Sequence, residues 1–178
     1  MAKFWNFVFF QLGWFACIIG AANQQVLWPV VGTLAYIAIH VWRCQSPALE
    51  SKLIFKAVLL GVSADTLIAN LGFLSFEDAW PSVYLSPVWM WTLWALVAST
   101  INGSLSWLRG RPVVSAILGA IAGPLSYEAG IRMGAGAWGP NGQTGGLILL
   151  AIVWGLAIPL FLYWARLGVS SDLLKNKS

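Results

Sequence analysis

Charge is what this chain has least of: Asp, Glu, Lys and Arg together make up 9% of its 178 residues. Soluble domains carry about 25% charged side chains, so too little polar surface is available here to clothe a particle of this size in water. Cysteine occurs twice, at Cys17 and Cys44, inside or beside different apolar runs and without CxxC spacing, which excludes a disulfide framework and a structural zinc module. Histidine occurs once. With no carboxylate or cysteine expected at ligand spacing, His40 makes no haem, zinc or di-iron pattern and reads as a satisfied helix-end histidine; no metal and no other cofactor is expected. Phosphate-cradling glycine loops and the G-x-S-x-G elbow of hydrolases are missing, and no strand is expected to carry them. No catalytic motif remains, and the reading leans against an enzyme. A cytosolic enzyme, a secreted scaffold and a disordered tail are thereby excluded. The net charge of +4 implies no nucleic-acid partner, because here the placement of charges matters more than their sum.

Apolar residues are abundant instead, at 59% of the chain with a mean hydropathy of +0.77. A helix needs about 20 apolar residues to cross ~30 Å of hydrocarbon. Six runs qualify: residues 5–22, 26–42, 53–74, 88–108, 113–134 and 147–167. They predict an all-α fold, a polytopic transmembrane bundle of six helices forming one integral membrane domain over 1–178. Lys3 before a run ending in Gly20, Ala21 and Ala22 has the look of a secretory signal, but the next span follows after Asn23, Gln24 and Gln25, so it is read as the first span.

Positive charges test the count, since they favour the cytoplasmic loops. With the N-terminus inside, nine of the ten fall inward: Lys3, Arg43, Lys52, Lys56, Arg109, Arg111, Arg166, Lys175 and Lys177, with Arg132 the exception. Both termini are therefore expected in the cytoplasm. Most of the 12 tryptophans lie near span ends, where indole prefers to sit; Trp14, Trp94 and Trp154 do not.

An ionisable group at mid-bilayer costs ~2.5–3.5 kcal/mol even on insertion scales and normally faces the protein interior. Asp65 is such a group, and helical spacing puts Gly61, Ala69 and Gly72 on its side. It reads either as a proton-linked or ligand-binding carboxylate or as an Asp that hydrogen-bonds a neighbouring helix and does no chemistry. Thr92, Ser99, Asn102 and Ser106 form a polar stripe on the fourth span, read first as helix glue and second as a substrate contact. Asn102 lies nearer the cytoplasm and meets Asp65 only if the two helices cross favourably. On the fifth span Gly119, Gly123, Gly130 and Gly134 allow close approach, Pro124 kinks, and Tyr127 shares the face of Gly123 and Gly130. Glu128 and Arg132, four apart, form an interfacial ion pair or a headgroup contact. The loop over 135–146 is a lid or a plain connector.

The segments FQLGWFACIIGAA, LGVSADTLIANLGFLSF, WMWTLWALVASTINGSLSWL and LGAIAGPLSYEAG resemble the small bacterial inner-membrane proteins of domain-of-unknown-function family 2878, over nearly the whole chain. The resemblance implies a multi-pass protein of the bacterial cytoplasmic membrane. It brings no activity to Asp65, Asn102 or Tyr127. The resemblance also implies a neighbourhood of genes for cyclopropane-type fatty-acid modification and photolyase-like proteins, and with it a link to membrane-lipid or photooxidative-stress physiology.

The leading expectation is a binding or accessory protein of a membrane-lipid pathway. It would hold a lipid or other apolar or amphipathic molecule between the third, fourth and fifth helices, at Asp65, Trp94, Asn102 and Tyr127. Its expected partners are membrane lipids and a lipid-modifying enzyme or transport subunit. A small proton-linked transporter or substrate-binding transport subunit comes second. An intramembrane lipid-modifying enzyme, pairing Asp65 with Tyr127, comes third.

Overall fold

Each of the six apolar runs forms a helix: α1 (Lys3–Ala22), α2 (Leu27–Trp42), α3 (Pro47–Asn70), α4 (Val88–Ile101), α5 (Pro112–Arg132) and α6 (Gln143–Lys175). The computed structural model describes residues 3–175, with side chains described for 3–168. Lys175 and Lys177, counted above among the inward charges, lie outside the residues whose side chains are described. Four helices, α1, α3, α5 and α6, are long and apolar enough to cross a membrane. α2 and α4 are shorter, at 16 and 14 residues.

α4 is the axis of the bundle. It is buried on nearly every side, its hydroxyls turned back onto its own carbonyls, and packs against α1, α2, α3 and α6. The surrounding helices bury one side and expose the other. Ile117, Ile121 and Leu125 on α5 and Ile148, Ile152 and Leu156 on α6 form exposed apolar rows at four-residue intervals. Exposed to water, such rows would forfeit about 25 cal/mol per Å², a penalty that vanishes in hydrocarbon.

Several boundaries differ from the sequence reading, among them the ends of α3, α4 and α5. α3 ends at Asn70 rather than 74, because Gly72, at φ +73°, closes the helix with the amides of Gly72 and Phe73 bonded back to the carbonyls of Ala69 and Ile68. α5 ends in the same manner: Gly134 has φ +91°, and the amides of Gly134 and Ala135 return to Ile131 and Gly130. α4 stops at Ile101 instead of running to 108, and a short 3-10 turn follows at Ser106–Leu108. The cause lies on α1. The buried Asn6 side chain accepts the Ser104 amide at 2.9 Å, removing a donor the helix would need, and donates to the Ser99 carbonyl at 3.2 Å and the Tyr36 hydroxyl at 3.1 Å.

The expectation of no strands is also corrected. Beyond the glycine caps, β1 (Leu74–Phe76) and β2 (Gly136–Trp138) pair antiparallel, with Leu74 opposite Trp138 and Phe76 opposite Gly136. The amides of Gly139 and Asn141 bond the carbonyls of Phe73 and Gly72, and Asn141 Nδ2 donates to the Leu71 carbonyl at 2.6 Å. The 135–146 segment is thus a pinned connector, sewn to the end of α3.

Candidate functional site

Asp65 has no exposed surface, and its two oxygens are divided between two neighbouring helices. Oδ1 accepts the Tyr127 hydroxyl of α5 at 2.6 Å, and Oδ2 accepts Trp94 Nε1 of α4 at 2.7 Å. Among the described residues it has no cationic partner. The Trp94 indole stacks on Trp154 of α6 with centroids 4.1 Å apart and planes 6° from parallel, and Phe161 meets it edge-on. Two glycines make room for this pair. A β-carbon at Gly61 would strike the Trp94 ring and one at Gly123 the Trp154 ring, while Gly119 lies against the Trp154 carbonyl. Of the small residues expected beside Asp65, Gly72 lies beyond α3 as its cap; Gly61 and the GxxxG step of α5 serve one object, a tryptophan stack held between α3 and α5.

On the far side of Trp94 and Tyr127 lies a cavity of about 210 Å³, walled by α1 (Phe7, Phe10, Trp14), α4 (Leu93, Val97), α5 (Leu118, Ala122, Ser126) and α6 (Trp154, Ile158). Its wall is almost wholly apolar. All three tryptophans that fall away from span ends, Trp14, Trp94 and Trp154, line it. Trp14 Nε1 donates to Ser126 Oγ at 2.9 Å, joining α1 to α5. Ser104 lines the cavity as Trp154 does, but Ser104 Oγ and Trp154 Nε1 are themselves buried away from it without a hydrogen bond, the Trp154 indole lying near the Tyr127 phenol. Asp65 is not on the wall. It stands behind Trp94 and Tyr127 and orients both.

Of the four residues expected together, Asp65, Trp94 and Tyr127 meet and Asn102 does not. Asn102 Nδ2 donates to Glu50 Oε2 at 2.7 Å, and its Oδ1 accepts from Arg109. On the stripe, the Thr92 and Ser99 hydroxyls return to carbonyls three residues earlier on α4, at 2.8 and 2.7 Å, while Thr92 Oγ1 also meets Cys17 Sγ of α1 at 3.6 Å and Asn102 reaches Glu50 of α3, so the joining of helices expected of the stripe falls to these two. Glu128 and Arg132 pair at 2.6 Å, and the other Glu128 oxygen accepts from Trp138 Nε1 at 2.9 Å and Gln143 Nε2 at 3.0 Å. Most of this group's capacity is thus spent tying β2 and the start of α6 to α5.

Asn102 leads to a cluster the sequence did not reveal. His40, at the end of α2, has the carboxylate and the cysteine that spacing alone seemed to deny it. Its Nε2 lies 2.9 Å from Glu50 Oε1 and 3.7 Å from Cys44 Sγ. His40 and Glu50 are buried; the half-buried Cys44 thiol is pushed above its ordinary pKa by desolvation and, secondarily, by the Glu50 carboxylate. The cluster faces a polar cavity of about 690 Å³ whose wall includes Asn6, Arg43, Asn102 and Arg109.

A helical bundle with four helices long and apolar enough to cross a membrane, apolar rows on its outer faces and its polar groups paired inside defines an α-helical membrane protein. The chain belongs to the family described as "Protein of unknown function (DUF2878)", whose match covers residues 3–160. No curated protein and no solved structure matches it.

Proposed function

We propose that this protein holds the apolar part of a lipid-like molecule in the cavity between α1, α4, α5 and α6, as a binding or accessory component of a membrane-lipid pathway. The observation that carries the reading is the cavity itself. At about 210 Å³ it exceeds the ~150 Å³ apolar void that suffices to bind benzene, and its apolar wall suits an acyl chain. Trp94 and Tyr127 touch the ligand in this reading, while Asp65 fixes their orientation.

The same reading places the protein in a bacterial cytoplasmic membrane, crossing six times with both ends inside. Gathering of Arg43, Arg109, Arg111 and Arg166 around neighbouring cavities at one end of the bundle supports that orientation. Proton-linked transport ranks second, supported by Pro124 and Pro159 inside α5 and α6. An enzyme ranks third: Asp65 and Tyr127 are in contact, yet the carboxylate is shut off from the cavity.

The test is lipid analysis of protein extracted gently from membranes, beside the variant Ala122→Phe. Ala122 is exposed at the cavity, so a phenyl ring there narrows it without entering the tryptophan stack. A defined lipid enriched with the wild type and lost from the variant is expected. No enriched lipid, or equal enrichment in both, would overturn the proposal.

A further inference from the structure

We propose that His40, Cys44 and Glu50 form a zinc site of three protein ligands, with a fourth position open to the polar cavity. The three ligating atoms lie within 4.8 Å of one another. In a tetrahedral zinc centre, bond lengths of about 2.0–2.3 Å put ligand atoms about 3.3–3.7 Å apart. The observed 2.9 Å from Nε2 to Oε1 and 3.7 Å from Nε2 to Sγ lie on either side of that spacing, and the Cys44 thiol and the Glu50 carboxylate, within 4.8 Å of each other, draw together to enclose an ion.

The reason to place a cation there is the convergence on one nitrogen. His40 Nε2 holds one proton or one lone pair, and it cannot satisfy a carboxylate oxygen and a thiol together. A metal ion among the three satisfies all of them. Binding forms bonds from the ion to Nε2, Oε1 and Sγ: the Nε2 proton shared with Glu50 is given to solvent while Nδ1 takes one up, keeping the imidazole neutral, and the Cys44 S–H bond breaks with release of its proton, so one proton is released in all. The Glu50 carboxylate and the Cys44 thiolate then balance the two charges of Zn²⁺.

The surroundings fit an assembled site. His40 lies in the last turn of α2 and Cys44 two residues beyond its end, where its amide bonds back to the Val41 carbonyl, and the short connection to α3 brings Glu50, in the first turn of that helix, alongside. Asn102 occupies the second Glu50 oxygen and is itself held by Arg109, which leaves Oε1 to face the imidazole. Such outer partners orient ligating carboxylates in metal sites. A nitrogen, oxygen and sulfur set suits zinc, and three protein ligands with an open position leave room for a water or an anionic oxygen from the cavity. Arg43 and Arg109 on the same wall favour the anion.

The test uses the full chain in detergent, with Zn²⁺ and Co²⁺ as probes. One equivalent of zinc is expected to stay with the protein through gel filtration and to leave with a chelator. Cobalt in its place should give tetrahedral d–d bands and a thiolate-to-cobalt charge-transfer band, with the latter absent from Cys44→Ser. Asn102→Ala, a change in a positioning residue, should weaken zinc binding roughly 10–100-fold while keeping the charge-transfer band. If Cys44→Ser fails to fold, maleimide labelling of Cys44 in the unaltered protein decides: zinc should slow it and chelation restore it. Absence of stoichiometric metal after reconstitution, a cobalt spectrum unchanged by Cys44→Ser, or labelling indifferent to zinc would each overturn the site.

Discussion

The two oxygens of Asp65 hold two different helices through two different donors, and the donors respond unequally to substitution. In Asp65→Asn the amide oxygen can still accept from Trp94 Nε1, and the Tyr127 hydroxyl can turn to accept from the amide nitrogen; this variant should fold with little loss. Asp65→Leu leaves both donors buried and unmatched at ~1–3 kcal/mol each, so its thermal unfolding in detergent should come well below that of Asp65→Asn. Equal melting of the two variants would show that these hydrogen bonds contribute nothing. Asp65 and Tyr127 are legible in the sequence because each is a polar group on a small-residue face of an apolar run. Trp94 is legible as a tryptophan out of place for an interface. Glu50 is not, since an acid at the start of a helix looks like an ordinary interfacial charge; only the return of α3 beside α2 turns it inward. His40 illustrates the same limit: its cysteine is one turn away in sequence, but its carboxylate depends on the fold.

At the scale of elements, apolar runs give the helices and say little about their ends. α3 begins at Pro47, six residues before the apolar run, because Pro47 fits a first turn and the charged residues Glu50, Lys52 and Lys56 extend a helix without being apolar. α4 ends early for a reason that lies 98 residues away, in the bond from Ser104 to Asn6. No local pattern contains that. Asn6→Ala removes the acceptor, and the stranded Ser104 amide and lost bridges should cost ~1–3 kcal/mol, read as a lower unfolding midpoint together with faster hydrogen exchange at Ser104. Unchanged exchange there would mean that the helix end is set by something else. The two strands are too short for an alternating pattern to register, and the glycine caps that launch them, Gly72 and Gly134, stand in the sequence as two among eighteen glycines.

For the molecule as a whole, the described basic residues other than Arg132 collect at one end and the paired strands lie at the other. Cysteine-accessibility labelling should find a reporter at residue 110 on the cytoplasmic side and one at residue 79 outside; the opposite result, or both on one side, would reverse or break the six-crossing arrangement. The strand pairing and the Asn141 bonds fasten the ends of α3 and α5 to each other, and the Asp65 bonds hold α3, α4 and α5 together deeper in. Of the four cavity walls, α1 and α5 face each other with, among the described residues, one side-chain hydrogen bond between them, Trp14 to Ser126.

That slender seam has a consequence for how anything reaches the cavity. A guest entering between α1 and α5 arrives sideways, sliding out of the surrounding bilayer without ever meeting bulk water. Its supply then depends on how abundant it is among neighbouring lipids and on diffusion in the plane of the membrane, so occupancy should follow the lipid composition of the host cell and be indifferent to what is dissolved on either side.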